Sequence, residues 1–460
     1  MSTKLANNIA ADENSPLLNG GASSALHDTV GNGNGHGRGN GHISLSRDSS
    51  TMTFLFNSKQ TPGMDNSNIA VRSMAYPWHI AKVTLLSNYV NFLLVMVPLG
   101  IIAGKLGWSP TAVFTINFFA IIPLAAVLSF ATEEISMKLG ETLGGLLNAT
   151  FGNAVELIVS IVALQRNEIE LVQASMLGSI LSNLLLVMGM GFLFGGIIHR
   201  GESGNGREQV FSSATAQTTC SLMALSSASL VIPAALYAVL DQSGSDEKVQ
   251  SILTLSRGTA IILLLLYVLY LVFQLRTHSN LFDTENQNED DEEGECEEPT
   301  LGPIAAIAVL VVTTVLVTLC AGYLVDSIND LVTTSGISRG FIGLILIPIV
   351  GNAAEHVTAV VVALRNKMDL AMGVAVGSSI QIALLVAPFL VIFGWIIGAE
   401  MTLHFETFQT VAFAVSVLVV TYTIQDGKSN YLEGAMLMGL YIIIALAFYA
   451  TPSDIMDASK

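Results

Sequence analysis

The stretch GNAAEHVTAVVVAL, residues 351–364, places a carboxylate inside an apolar segment that is long enough to cross a membrane. The apolar run extends from residue 341 to residue 364, and Glu355 is the fifteenth of its 24 residues. A transmembrane helix needs about 20 such residues. Because a charge at mid-membrane costs about 2.5–3.5 kcal/mol or more, a glutamate there indicates a functional site that supplies it with a partner.

The whole chain has the composition of an all-α polytopic membrane protein. Of its 460 residues, 52% are hydrophobic and 12% are charged. A soluble domain carries about 25% charged residues. The sequence predicts about eleven transmembrane helices, which correspond to the apolar runs at 84–104, 111–131, 143–164, 171–198, 219–240, 257–275, 301–325, 341–364, 370–397, 407–424 and 431–450.

An internal repeat supplies a second copy of the opening stretch, GNAVELIVSIVAL at 152–164. A constant offset of 199 residues aligns the copies without a gap and pairs Gly152, Asn153 and Glu156 with Gly351, Asn352 and Glu355. Five helix steps separate the third run from the eighth, so the copies are predicted to cross the membrane in opposite directions. Inverted repeats of this kind build secondary transporters, whose site lies at the repeat interface near the bilayer midplane.

Each repeat carries oxygen donors. The asparagine and glutamate of a copy are three residues apart and share a helix face. The next helix of each copy adds polar residues, namely Ser179, Ser182 and Asn183 in the first and Ser378, Ser379 and Gln381 in the second. Ca²⁺ takes about six to eight oxygen ligands, whereas zinc favours nitrogen and sulfur. Backbone carbonyls near Gly152 and Gly351 can add ligands where the helices loosen.

The two glutamates suggest an exchange mechanism. Facing carboxylates repel each other unless they are protonated or bridged by a cation. Two protons or one Ca²⁺ neutralise the pair, but not both together, so the two kinds of ion compete. As alternatives, a single glutamate could only bond a neighbouring helix, and the serines and asparagines could be packing residues. His356 is predicted to be a neighbour and not a ligand, since it lies about 100° around the helix from Glu355.

The polar segments have other roles. Residues 1–78 are rich in Gly, Asn and Ser and are predicted to be a disordered cytosolic tail. Within it, ENSPLL resembles an acidic dileucine sorting signal to vacuoles or lysosomes, with Glu13, Leu17 and Leu18 as its determinants. Residues 283–298 hold ten acidic side chains and no basic one, so the rest of the chain carries only −7 of the net charge of −17, and this local acidity argues against nucleic acid. This run is either a solvated linker or a segment that attracts cations.

Orientation and cofactor needs also follow from the sequence. If the N-terminus is cytosolic and eleven helices alternate, 13 of the 19 basic residues lie on the cytosolic side, in agreement with the positive-inside rule.

The three cysteines follow no metal-ligand or disulfide pattern. The chain contains no P-loop and no H-E-x-x-H motif, so neither ATP nor zinc is predicted as a cofactor, and an intramembrane enzyme is the least favoured class.

The two repeats resemble those of the vacuolar cation/proton exchanger family, the calcium/proton branch of the calcium/cation antiporter superfamily, and are similar to its fungal type. GLLNATFGN and GFIGLILIPIVGN precede the repeated glutamates, and GSILSNLLLVMG (178–189) and GSSIQIALLVAP (377–388) match the helices that follow. The resemblance implies a peripheral first helix and two inverted five-helix repeats. The predicted organisation is tail, first helix, first repeat, acidic linker, second repeat and C-terminal tail, at 1–78, 79–108, 109–277, 278–300, 301–452 and 453–460.

The resemblance also implies a function. Glu156 and Glu355 would bind Ca²⁺ and exchange protons with help from Asn153, Asn352 and the carbonyls around Gly152 and Gly351. Ser179, Ser378, Gln381 and Asn183 would line the site. The expected protein is a multi-pass antiporter of the vacuolar membrane that moves cytosolic Ca²⁺, or another divalent such as Mn²⁺, against H⁺. A sodium-coupled exchanger of the same superfamily and a passive calcium channel are the alternatives.

Overall fold

The computed structural model describes residue 61 and residues 69–199, 208–240, 245–279 and 299–451. The predicted sorting signal, most of the acidic linker and the C-terminal tail lie outside these residues. The helices in the described part are α1 Ile69–Leu86, α2 Tyr89–Lys105, α3 Pro110–Leu139, α4 Glu141–Phe151, α5 Ala154–Gln165, α6 Ile169–Ile198, α7 Ser213–Val239, α8 Ser245–Val272 with a π turn Phe273–Thr277, α9 Pro303–Asp326, α10 Ile328–Ser335, α11 Arg339–Gly351, α12 Ala353–Leu364, α13 Met368–Ile397, α14 Thr407–Ile424 and α15 Tyr431–Ala450.

The predicted helical membrane fold is confirmed, but the count of eleven spans is not. Among the described residues, eight helices are long and apolar enough to cross a membrane, or up to ten if each bent pair is one span. The bent pairs are α1 with α2, at 116°, and α11 with α12, at 57°. The predicted third span consists of two short helices, α4 and α5. Helix α1 begins at Ile69, so the last ten residues of the predicted tail are helical.

Both repeats break at the same place. In each copy one helix ends at the glycine or just before it, the asparagine leaves the regular helix, and a new helix begins at the next alanine. The repeated Arg-Asn pair ends the second helix: Asn167 and Asn366 both have φ of 61°. Asparagine tolerates this left-handed conformation, which commonly follows the last turn of a helix. Local chemistry therefore fixes the start and the end of both glutamate helices.

The repeats run in opposite directions. The end of α5 lies beside the start of α6, where Val172 N donates to Glu168 O. The end of α12 lies at the other end of α6, because Gln209 Nε2 donates to Asn366 Oδ1 at 2.9 Å and contacts His199. Since α6 has 30 residues, it is about 45 Å long. The ends of the two glutamate helices therefore lie at opposite faces of the protein, which we name the Arg166 face and the Gln209 face.

Two further contacts organise the bundle. Helices α3 and α9, which open the two repeats, pack along each other. Glu134 at the end of α3 is 3% exposed and accepts hydrogen bonds from Thr300 N and Leu301 N, which fixes the start of α9. At the Gln209 face, β1 (Gln209–Val210) pairs with β2 (Lys428–Ser429) in a short antiparallel sheet that the all-α prediction did not include.

Candidate functional site

The helix breaks place both glutamates in the first turn of a helix. Glu156 is the third residue of α5 and Glu355 the third residue of α12. A helix N-terminus carries unpaired N–H groups and a positive partial charge, which stabilise a carboxylate in the first turn. Helix α4 and helix α11 end at the same breaks, and the last turn of a helix leaves carbonyls without a partner inside the helix. Both glutamate side chains are half-buried.

A chain of hydrogen bonds connects the repeats beside these glutamates. Asn183 Nδ2 donates to Ser378 Oγ at 3.0 Å, and Ser378 Oγ donates to Asn153 Oδ1 at 2.7 Å. The Asn153 amide then donates to Gln381 Oε1 at 2.6 Å. Every bond joins a residue of the first repeat to one of the second. The structure therefore brings four of the predicted site residues together at the repeat interface.

The site also contains oxygen atoms that lack a partner. Asn352 Nδ2 donates to the Ser179 carbonyl at 3.2 Å, but Asn352 Oδ1 accepts no hydrogen bond from the residues that the structure describes. The same is true of Asn183 Oδ1 and of Glu355 Oε2. Buried acceptors are normally satisfied. Three unpartnered oxygens from carboxamide and carboxylate groups are the donor set that a hard cation such as Ca²⁺ prefers, so these residues fit such an ion as a substrate.

The two carboxylates interact electrostatically. The negative charge of Glu156 acts on Glu355 through Coulomb repulsion, and the Glu355 carboxylate lies next to the side chains of Ser378 and Asn183. Repulsion between like charges in a low-dielectric interior is costly unless a cation or protons neutralise it. Positive charge placed between the two carboxylates would relieve this repulsion.

Helix irregularities lie next to the polar residues of α6 and α13. A π turn occupies Ser182–Val187 in α6 and Ile382–Val386 in α13, at nearly equivalent positions of the repeat. Single π turns inside α-helices occur frequently at functional sites, because they change the direction of the side chains around them. Both turns begin within four residues of the serine that lines the site.

The two sides of the site are packed differently. A Cβ added to Gly351 would lie 2.5 Å from Glu156 Oε1, whereas Gly152, its repeat equivalent, is exposed. A Cβ on Gly178 would run into the Leu344 carbonyl of α11. At Gly377, the equivalent of Gly178, no atom lies within 4 Å of such a Cβ. The site is closed on the side of α11 and open on the side of α4.

Two polar residues near the predicted site lie outside the hydrogen-bond chain that joins the repeats. Two further serines beside the site were not predicted from the sequence. His356 Nε2 lies 3.2 Å from Ser182 Oγ, and Ser379 donates to the Ala375 carbonyl within its own helix. Ser160 and Ser175, by contrast, line a cavity with Glu156 and Ser179. Their spacing was a usable signal, because each lies four residues, or about one helical turn, from a predicted site residue.

Inverted helices that break at a pair of carboxylates define a secondary transporter of cations. A family model described as sodium/calcium exchanger protein matches residues 109–276 and 305–450. The chain belongs to the sodium/calcium exchanger protein family.

Relatives from several organisms extend the comparison. The vacuolar calcium ion transporter of Schizosaccharomyces pombe is 51% identical over 375 residues, which cover 81% of this chain and 87% of that protein. The Ca²⁺/H⁺ antiporter of Aphanothece halophytica is 43% identical over 78% of this chain and 96% of its own length. The crystal structure of the Ca²⁺/H⁺ antiporter protein YfkE matches with a TM-score of 0.65 at 36% identity, covering 78% of this chain and 98% of that one.

Proposed function

We propose that this protein is a secondary antiporter that moves cytosolic Ca²⁺ into an acidic vacuole in exchange for H⁺. The observation that carries the proposal is the hydrogen-bond chain Asn183–Ser378–Asn153–Gln381, which crosses the repeat interface beside the two repeat-equivalent carboxylates Glu156 and Glu355. The names of the relatives from Schizosaccharomyces pombe and Aphanothece halophytica support the same substrate pair.

The coupling follows from competition for the carboxylates. One Ca²⁺ neutralises both charges and takes the unpartnered oxygens of Asn183, Asn352 and Glu355 as ligands. Protons neutralise the same charges, so they displace the cation. An empty, doubly charged site is unfavourable in a low-dielectric interior. The site therefore switches its access from one face of the protein to the other only with a cation or protons bound. This condition couples the flow of Ca²⁺ to the flow of H⁺.

The orientation of the exchanger is part of the proposal. The basic-residue count supports a cytosolic N-terminus and Gln209 face, with the Arg166 face in the vacuolar lumen. The structure described here is then open towards the cytosol, because the α4 side of the site is the open one. The N-terminal tail and the acidic linker would both lie on the cytosolic side.

Uptake of ⁴⁵Ca²⁺ into sealed vesicles tests the function. The purified chain is reconstituted, the vesicles are acid-loaded, and uptake is started in a sodium-free buffer at a more alkaline pH. We expect accumulation above the external concentration, which collapses when the pH difference is dissipated. Vesicles containing Glu355→Gln protein serve as the control, since they retain the bilayer and the fold but lose one carboxylate.

The same assay separates the other candidates. A sodium-coupled exchanger would take up Ca²⁺ only against a sodium gradient, and a channel would equilibrate Ca²⁺ without uphill accumulation. Either result would contradict the proposed function. Competition by Mn²⁺ and other divalents then ranks the cations that the oxygen site accepts.

A further inference from the structure

A cavity extends from Glu156 towards the Arg166 face, away from the open side of the site. Its walls are apolar except for Glu156 itself and three hydroxyl groups, those of Ser160, Ser175 and Ser179. Ser179 is one of the predicted site residues. The other two serines are 2% and 7% exposed, and neither belongs to the hydrogen-bond chain that joins the repeats.

The two serines continue the polar surface by one helical turn. Ser160 follows Glu156 by four residues on α5, and Ser175 precedes Ser179 by four residues on α6, so each is about 6 Å further along its helix. Both steps lead towards the Arg166 face, where α5 ends and α6 begins. Ser175 Oγ donates its hydrogen to the Val172 carbonyl at 2.9 Å, which leaves the lone pairs of its oxygen available to a cation.

Helix α11 closes this cavity in the present conformation. Ile347, Val350 and Gly351 form part of its wall, and Gly351 packs against the Glu156 carboxylate. Of the corresponding positions at the end of α4, Asn148 and Gly152 are exposed on the other side of the site. When α11 opens as α4 has opened here, the cavity becomes the vestibule between Glu156 and the Arg166 face.

The second repeat lacks these hydroxyls. At the offset of 199 residues, Ser160 corresponds to Ala359 and Ser175 corresponds to Val374. Ala359 is 0% exposed, and its carbonyl lies within 4 Å of a Cβ placed on Gly191 of α6. The two additional hydroxyl groups are therefore present only on the Arg166 side of the site. They are not part of the motif that the two repeats share.

We infer that Ser160 and Ser175 form a release step for the transported cation, on the route from Glu156 to the lumen. Their hydroxyl oxygens replace part of the water shell that a hard cation regains as it leaves the carboxylates. The inference rests on the proposed function and on the orientation given above. It adds the route by which the cation leaves the site, and it makes the lumenal route more polar than the cytosolic one.

A sided thiol assay tests the route. Ser160→Cys and Ala359→Cys proteins are compared in sealed vesicles that contain a membrane-impermeant thiol reagent. We expect the reagent in the lumen to inhibit Ser160→Cys protein during turnover, because α11 then opens, and to leave Ala359→Cys protein active. The unmodified protein is the reagent control, since it carries the same native cysteines, of which Cys220 and Cys320 are buried. Lumenal reagent that leaves Ser160→Cys protein fully active would overturn the inference.

Kinetics test the chemical role. In Ser160→Ala and Ser175→Ala proteins, the lumenal Ca²⁺ concentration that halves uptake is expected to rise about fivefold, which corresponds to about 1 kcal/mol of lost lumenal binding. The KM for cytosolic Ca²⁺ should change less than about twofold. Ser160→Thr protein keeps a hydroxyl and should behave as the unmodified protein. Ser416→Ala protein, which loses a buried hydroxyl in α14 that bonds the Ala412 carbonyl, controls for packing.

The outcomes separate this inference from the proposed function. If the unmodified chain shows no uptake driven by a pH difference, the proposed function fails. If the unmodified chain transports normally but the alanine substitutions alter Ca²⁺ binding equally on the lumenal and cytosolic sides, or on neither side, only the release step is wrong. Should Ser160→Ala protein fail to fold, Ser175→Ala and the thiol assay still give a result.

Discussion

Helices α4 and α11 have equivalent positions in the two repeats, but α11 is packed more deeply into the protein than α4. Ile342 and Ile345 of α11 are 0% and 4% exposed, and α11 packs against α6 and α3. Their counterparts in α4, Leu143 and Leu146, are 57% and 41% exposed. Two segments with the same place in a repeat therefore adopt two different packings within one molecule.

The difference shows what each half does in the transport cycle. An inverted repeat has two arrangements related by its pseudo-symmetry, and exchanging the packing of α4 and α11 converts one into the other. The present structure is one of these arrangements, with the Arg166 side closed. We then expect the two carboxylates to have equal roles and the helices α4 and α11 to be packed differently. Pairs of matched substitutions test each expectation.

The largest effect is expected at the carboxylates, where the two repeats should be equal. Glu156→Gln and Glu355→Gln should each reduce Ca²⁺ uptake by more than about 100-fold, because a dication at a half-neutralised buried site loses about 3 kcal/mol or more. Both variants should remain folded, as size-exclusion chromatography would show. Glu208→Gln protein, which changes an exposed carboxylate, is the control. Substantial uptake by one variant alone would break the equivalence of the repeats.

The next effect is expected at the glycines, where the repeats should differ. Gly178→Ala meets the Leu344 carbonyl and should lower the free energy of unfolding by about 1–3 kcal/mol. Gly377→Ala meets no atom within 4 Å and should leave stability unchanged or slightly raised. Its transport should nevertheless fall about 5- to 150-fold, because the same clash of about 1–3 kcal/mol would oppose the closing of α4.

Thermal unfolding and vesicle uptake on the same preparations check this pair. Gly439→Ala is the matched control, since that helical glycine also has open space around it. Full transport by Gly377→Ala protein would mean that α4 does not approach α13 during the cycle. In that case the difference between α4 and α11 would be a permanent asymmetry and not one stage of a motion.

The sequence was informative about the repeat and less so about this asymmetry. The offset of 199 residues, the helix breaks at Asn153 and Asn352, and the set of oxygen donors all follow from local motifs, because glycine, asparagine and glutamate act through their own backbone and side-chain chemistry. Which side is open depends on long-range packing, such as Gly178 against Leu344. Two nearly identical motifs cannot reveal which of two packings each one adopts.

A smaller effect is expected at Gln381 and its repeat equivalent Ser182. Gln381→Leu removes the acceptor of the Asn153 amide, and an unpartnered buried donor costs about 1–3 kcal/mol, so uptake should fall about tenfold. Ser182→Ala removes the 3.2 Å contact with His356 and should reduce uptake less than about threefold. Initial uptake rates at saturating Ca²⁺ measure both variants. Equal losses would mean that Ser182 and His356 also hold the site together.

The smallest effect is expected at the repeated arginines, on opposite faces of the protein. Arg166 forms an ion pair of 2.7 Å with Asp326, which joins α5 to α9, but the two side chains are 44% and 50% exposed. Arg166→Gln should therefore lower the free energy of unfolding by less than about 1 kcal/mol, and less still at high salt. Arg365 forms no ion pair with the residues that the structure describes, so Arg365→Gln should have no such effect. Unfolding at low and high ionic strength compares the two, and a salt-dependent loss in both variants would show that the arginines stabilise the two faces alike.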